Sequence, residues 1–332
     1  MSTEKNIEIK KNPGIKTNLH PRNKNREPYD INALIRINPE LVTFIKPNKY
    51  GVDSIDFSDA TAVRILNKSI LDYYYKIDYW EFPNENLSPP IPGRADYIHY
   101  MADLLCENNF GVIPLGDKIT CLDIGVGASC IYPIIGVAEY NWKFIGSDID
   151  TKSIEWANKI VNCNSLLKNR VECRLQTNPN NFFTGIISPE EKFDISICNP
   201  PFHSSVQDAQ EGTRRKVKNL SGEDVITPIL NFAGVSSELV YDGGEYEFIQ
   251  KMIRDSKDFA KSCYWFSTLV SKQSNLKGIY NSLEKFDATH IGTKPMGTGN
   301  KSTRIVIWTF LSKEERKVWA KSRWRGSLSI IS

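Results

Sequence analysis

The sequence is poor in the residue patterns that hold metals or disulfides. Its seven cysteines (106, 121, 130, 163, 173, 198 and 263) are scattered, with no Cys-x-x-Cys pair. That argues against a zinc knuckle or a disulfide frame and for reduced, mostly buried thiols in a cytoplasmic protein. Histidine is scarcer still: four residues, far apart and never in a His-Glu-x-x-His spacing, so no metal site is expected. No apolar run approaches the roughly 20 residues of a membrane span, and the polar, lysine-rich start does not read as a secretory leader. Internal repeats and low-complexity tracts are also missing. What remains is 332 residues, 40% hydrophobic and 24% charged, enough for one large domain or a catalytic domain with a smaller appendage. A monomer is the default reading.

The net charge is only +3, but it is unevenly spread: residues 1–26 carry seven Lys/Arg against two Glu. A second basic cluster is Arg214-Arg215-Lys216-Val217-Lys218, and a third lies among Arg316, Lys317, Lys321, Arg323 and Arg325. A charge run is ordinarily solvated surface. Three of them on a near-neutral chain point to a polyanionic partner. Candidate phosphate contacts are His20, Arg22, Asn23, Lys24 and Arg26 in a proline-broken stretch, with Arg214, Arg215 and Lys216 further on.

Periodicity divides the chain. Residues 1–18 are polar and read as a disordered basic arm. Residues 19–93 read as a small helical module that carries the first of these candidate phosphate contacts. Within it, Ile31, Leu34, Ile35, Leu41 and Phe44 show helical spacing broken at Pro39, and an amphipathic helix over 59–75 opens with Asp59 as N-cap. The proline-rich residues 88–93 read as a rigid connection, and a helix over 94–107 leads into the main domain, 94–312. There, strand-like segments at 119–124, 142–147, 171–175, 193–198, 260–270, 290–293 and 304–311 alternate with helical ones. That alternation predicts a doubly wound, mostly parallel seven-stranded α/β sheet. Residues 203–245 form a long basic insertion without periodicity, expected to be a mobile substrate-binding segment. Residues 313–332 read as a basic tail.

The most informative stretch is Ile195-Ser196-Ile197-Cys198-Asn199-Pro200-Pro201-Phe202. A short apolar run suits a buried strand, and two prolines cannot continue its ladder. Asn199 then sits at a strand's carboxyl end, where open α/β sheets bind ligands. Its amide can grip an exocyclic amino group, and Phe202 offers a face to a planar ring. Taken alone, Asn-Pro-Pro is equally an ordinary turn. Upstream, the strand ending in Asp123-Ile124-Gly125-Val126-Gly127 lets backbone approach a ligand where a helix begins. A second strand ends at Asp148, suited to ribose hydroxyls, with a helix N-cap as the bland alternative. Cys130 stands where a third glycine of a Gly-x-Gly-x-x-Gly fingerprint would be, so a nicotinamide site is not required.

In this order the motifs resemble the class I S-adenosylmethionine-dependent methyltransferases, and Asn-Pro-Pro-aromatic resembles their amino-group branch. His20-Pro21-Arg22-Asn23, residues 90–99, residues 122–133 and residues 198–203 together resemble the family that makes N6-methyladenosine in 23S rRNA, over residues 19–311. A eukaryotic relative acting on U6 small nuclear RNA shares that core. The resemblance implies a Rossmann-like fold, S-adenosylmethionine as cofactor, and 23S rRNA or a pre-ribosomal particle as partner. It implies that Gly125, Gly127 and Ser129 contact the cofactor's amino-acid end and that Asp123 orients its amino group. Arg94 would pair with its carboxylate, Asp148 with the ribose, and Gln176 and Asn178 would lie near its adenine. Asn199 and the Pro200 carbonyl would accept from the target N6 amino group while Phe202 stacks on the base. No general base is needed, because the nitrogen loses its proton after transfer. His203 reads as a packing or backbone-contact residue. The alternatives are an RNA-binding assembly factor without catalysis and an N6-adenine methyltransferase acting on another RNA.

Overall fold

In the computed structural model, residues 14–48, 50–208, 239–298 and 301–324 are described. The chain opens with α1 (Ile31–Ile37), which stops before Pro39 because the residue preceding a proline is pushed out of the helical region: Asn38 sits at φ −127°, ψ 91°. A 3₁₀ turn and a two-stranded ribbon, β1 (Lys46–Pro47) and β2 (Asp53–Ser54), follow. Helix α2 (Ala60–Tyr75) starts where expected, with Asp59 accepting from the Thr61 and Ala62 N–H groups. Its buried stripe includes Ala62, Ile65, Leu66, Ile70 and Leu71.

Helix α3 (Ile91–Glu107) begins earlier than the sequence suggests. Proline is tolerated in a first turn, where its missing N–H is no loss. Residues 91–93 are therefore helix, and the expected rigid connection is cut to 88–90. Nor is the helical segment hung from the main domain: Leu71, Tyr75 and Trp80 share one buried cluster with Ile131, Ile134 and Trp142.

The main sheet holds β3 (Thr120–Ile124), β4 (Lys143–Asp148), β5 (Val171–Leu175), β6 (Phe193–Cys198), β7 (Cys263–Val270), β8 (His290–Thr298) and β9 (Lys301–Thr309). Its order is β5-β4-β3-β6-β7-β9-β8, parallel from β5 to β7 and antiparallel across β7–β9–β8. This is the expected seven-stranded α/β sheet. Helices α4 (Ile131–Tyr140), α5 (Thr151–Cys163), α6 (Gly244–Asp258) and α7 (Leu276–Lys285) accompany it. The chain steps outward from β3 to β5 and returns on β3's other side as β6, so the crevice at the carboxyl ends opens between β3 and β6.

Two sequence expectations need correction. The basic tail is folded as far as residue 324: α8 (Lys313–Trp319) runs into a π turn ending at Trp324. Trp319 and Trp324 each donate Nε1–H to Asp194 Oδ1 at 2.7 Å, and Arg323 adds its own bonds to the same buried carboxylate. Residues 14–18 of the expected arm are tied down, with the Lys16 N–H on the Arg26 carbonyl at 2.9 Å; residues 1–13 lie outside the described residues. Within the expected insertion, Arg214, Arg215 and Lys216 lie outside the described residues. The two ends of that insertion meet, His203 N–H bonding Leu239 O and Tyr241 N–H bonding His203 O, both at 3.0 Å.

Candidate active site

Strand register assembles the site. Ile124 pairs with Ser147 on one side and Cys198 on the other, so the next residues of three strands, Gly125, Asp148 and Asn199, leave the sheet along one edge. They border a cavity of about 420 Å³. Gly125 and Gly127 adopt φ of +76° and +63°, a left-handed backbone that side chains other than glycine resist. The turn is fastened at its base, Gly125 and Val126 N–H donating to Ser147 O at 2.8 and 2.9 Å. Ser129, past the turn, lines the cavity, and its carbonyl accepts Trp80 Nε1–H at 2.9 Å.

The carboxylates differ in how their needs are met. Asp148 accepts from Gly127 N–H at 2.9 Å and Asp150 N–H at 3.0 Å, keeping lone pairs spare for a ligand; burial raises its pKa. Asp123 is fully buried, and neither of its oxygens has a partner among the described residues. Burial, then the neighbouring Asp148, hold its pKa well above the usual carboxylate range, while Arg94 pulls it down. Asp123 is not itself on the cavity wall, whereas Ile124 and Gly125 beside it in the chain are; a buried, orphaned carboxylate just behind that wall calls for a cationic donor, which the ammonium of an amino acid supplies. Arg94 Nη1 donates to Asn199 Oδ1 at 3.3 Å, and its guanidinium lies 5.5 Å from the Tyr132 ring centre. One arginine thus bridges the glycine-turn side and the Asn199 side.

Asn199, Pro201 and Phe202 are on the cavity wall; Pro200 is buried behind it. Gln176 reaches the wall, but both ends of its amide are engaged: Nε2–H on Thr184 O and Oε1 receiving Asn178 N–H, each at 2.9 Å. Asn178 is a correction. It is exposed, it is not on the wall, and its Oδ1 accepts Asn180 N–H within its own turn. Pro179, Asn181 and Phe182 take that place. Asp255 on α6 holds this loop, Oδ2 receiving the Phe182 and Phe183 N–H groups at 2.7 and 2.8 Å and Oδ1 the Thr184 hydroxyl at 2.7 Å. Sequence reading also missed Tyr132, Ile149 and Tyr241 on the wall. Only Ile149 had a signal, a large apolar side chain directly after a strand-end acid, here 50% exposed. The main chain of His203 closes the neck of the insertion, and its ring Nδ1 lies 3.2 Å from Asp208 Oδ2.

The basic residues 20–26 are mostly turned inward, which corrects the reading of them as free phosphate contacts. His20 and Asn23 are buried. Asn23 Nδ2 donates to Pro92 O and Asp96 Oδ1, and His20 Nε2 pairs with Asp103 at 2.8 Å. Arg22 bonds Asp103, Tyr140 and the His99 carbonyl, and Lys24 pairs with Glu139 at 3.1 Å. Arg26 is half-buried. The buried His99, in contact with this group, is held down to about 3 by burial and then by the charges of His20 and Arg22. The segment is a clasp between the amino-terminal helices and α3.

A family model described as RNA methyltransferase matches residues 14–312. The ribosomal RNA large subunit methyltransferase F of Cytophaga hutchinsonii is 51% identical over 316 residues, covering 95% of this chain and 98% of that protein. Its namesake in Photobacterium profundum is 46% identical, covering 98% and 99%. Among solved structures, the human Mettl16 catalytic domain in complex with the MAT2A 3′UTR hairpin 1 is similar with a TM-score of 0.75. It is 26% identical, over 89% of this chain and 96% of that one.

Proposed function

Because the chain belongs to the RNA methyltransferase family, we propose that it methylates the N6 amino group of a specific adenosine in 23S rRNA, as a cytoplasmic monomer acting on the free RNA or a pre-ribosomal particle. It is an S-adenosylmethionine-dependent rRNA methyltransferase, in keeping with near-full-length identity to relatives named for rRNA methylation. The observation that carries the finer reading is the register that brings Gly125, Asp148 and Asn199 around one cavity, beside the unpartnered Asp123.

S-adenosylmethionine brings its methyl already activated on a sulfonium, so the protein's task is alignment. Asp123 would hold the ammonium group of the cofactor, the Gly125–Ser129 turn would bring backbone up to its amino-acid end, and Asp148 would accept from the ribose hydroxyls. Arg94, now 3.3 Å from Asn199 Oδ1, would pair with the cofactor carboxylate, and Asn199 Oδ1 would accept from the target amino group beside the Pro200 carbonyl. Phe202 stacks on the base, a contact worth about 1–3 kcal/mol. Extruding an adenine from folded RNA costs a few kcal/mol, and phosphate contacts from the exposed basic residues offset part of that.

The test is methyl transfer from labelled S-adenosylmethionine to unmodified 23S rRNA, digested to nucleosides, for wild type and Asn199→Ala. Label in N6-methyladenosine that falls at least about 100-fold in the variant, with cofactor binding retained, is the expected result. Label unaffected by the substitution refutes the role of Asn199. Cofactor binding without label moves the acceptor to another RNA, and no cofactor binding leaves an RNA-binding assembly factor.

A further inference from the structure

A second cavity, of about 300 Å³, lies away from the methyl-transfer cleft, between the carboxyl end of α3, the β8–β9 hairpin and α8. Its wall includes Glu107, Asn108, Trp265, His290, Lys294 and Arg316. Helix α3 spans the distance: Arg94 is at the cleft, and Glu107 is roughly 20 Å further along at about 1.5 Å per residue. In the sheet, Trp265 pairs with Ile195 near the amino end of β6, and His290 pairs with Thr309 at the same end. The cavity therefore sits at the edge of the sheet opposite the one that carries Asn199.

Donors outnumber acceptors on this wall, where the one carboxylate, Glu107, is taken by Lys294. Trp265 is 1% exposed, and its indole Nε1–H has no partner among the described residues; the Nε–H of Arg316, sealed in the same way, has none there either. Arg316 makes no ion pair among the described residues, and its guanidinium lies over the Trp265 ring, 5.3 Å from the centre. Lys294 adds a second cation, shared with Glu107 at 2.6 Å. The positive field has a visible effect: burial and then Arg316 push His290 below the ordinary histidine pKa. Buried donors left unpaired are costly, and an arginine fork beside a lysine suits a tetrahedral oxyanion. The C-terminal helix delivers the arginine, its register fixed by the Ser312–Glu315 capping box and by Trp319 on Asp194.

We infer that this cavity is a phosphate-binding site, in which Arg316 turns from the Trp265 ring toward the anion and the indole N–H gains its missing acceptor. The phosphate is either that of the RNA backbone or that of a small phosphorylated molecule. The full chain labelled with ¹⁵N-tryptophan tests this, with Trp265→Phe identifying the indole resonance. Inorganic phosphate is expected to move that resonance saturably in the wild type and to leave it in place in Arg316→Gln. If a 23S rRNA fragment moves the same resonance, and Arg316→Gln weakens RNA binding and lowers its salt slope by about one, the source is RNA. A shift with inorganic phosphate and not with RNA, with RNA affinity unchanged in the variant, assigns the site to a small phosphorylated molecule. No shift with either, in protein that still binds S-adenosylmethionine, overturns the inference, as does an Arg316→Gln variant that titrates like wild type. Methyl transfer by the same preparation is scored separately, so the site and the proposed activity stand or fall independently.

Discussion

Two polar regions of this molecule look alike in sequence and differ in what their groups still lack. Residues 20–26 are basic and hydrogen-bond-rich, yet His20, Arg22, Asn23 and Lys24 all spend their side chains on Asp96, Asp103, Tyr140, Glu139 and nearby carbonyls. The cleft wall holds as many charged side chains, Arg94, Asp148 and Asp150, but Asp123 behind it has no partner among the described residues and Asn199 only a long bond from Arg94. A polar group whose demands are met inside the chain is architecture. One that is buried and unmet awaits a ligand.

That contrast is broken most easily at Asp123. Asp123→Asn is expected to lower affinity for S-adenosylmethionine roughly 30-fold or more, about 2 kcal/mol, by calorimetric titration. The same change should raise the melting temperature of the ligand-free protein at neutral pH. The folded-state pKa of Asp123 is raised, so its stability contribution is full below the ordinary value of about 3.9 and is lost as pH climbs through the raised one. A variant that melts lower at pH 7 would show that the carboxylate has a partner after all.

Next in size is the clasp. Asn23→Ala leaves Asp96 and the Pro92 carbonyl short of a buried donor and is expected to cost about 1–3 kcal/mol in urea unfolding. Methyl transfer per folded molecule should stay at the wild-type level. Reduced RNA affinity at unchanged stability would instead make this segment an interface.

Smaller for each pH unit is the effect of His99, held down to about 3. Below about 6.5 the unfolded chain takes a proton that the fold refuses, so stability should fall by up to about 1.4 kcal/mol per pH unit between there and pH 3. His99→Gln should flatten that part of the profile; an unchanged slope would assign it to the acidic neighbours. Smallest is Asp255→Ala, which frees the loop at 181–184. A few-fold rise in KM for S-adenosylmethionine at unchanged kcat is expected, and a loss of kcat alone would refute its part in shaping the cofactor wall.

Legibility in the sequence followed the range of the interactions. Strands β5 and β6 are found at the residues expected, β5 from its alternation of apolar and polar residues and β6 because two prolines end its apolar run, and α2 starts at its own cap. Asp123, Gly125, Asp148 and Asn199 were readable because each sits at a strand end beside its local motif. Helix α5 went unread: its buried stripe of Ile154, Ala157, Ile160 and Val161 lacks proline or glycine boundaries. The clasp was misread because its partners are remote, Asn23 from Asp96 by 73 residues and Arg22 from Tyr140 by 118. Phe182 was invisible for a similar reason, its loop being shaped by Asp255 across 73 residues.

The bonds of Trp319, Arg323 and Trp324 to Asp194 also have a consequence in time. Synthesis runs from the amino end, so β6 emerges more than a hundred residues before the donors that satisfy its buried carboxylate. The full donor set of Asp194, at the end of β6 opposite Asn199, is therefore complete only once Trp324 has left the translating ribosome.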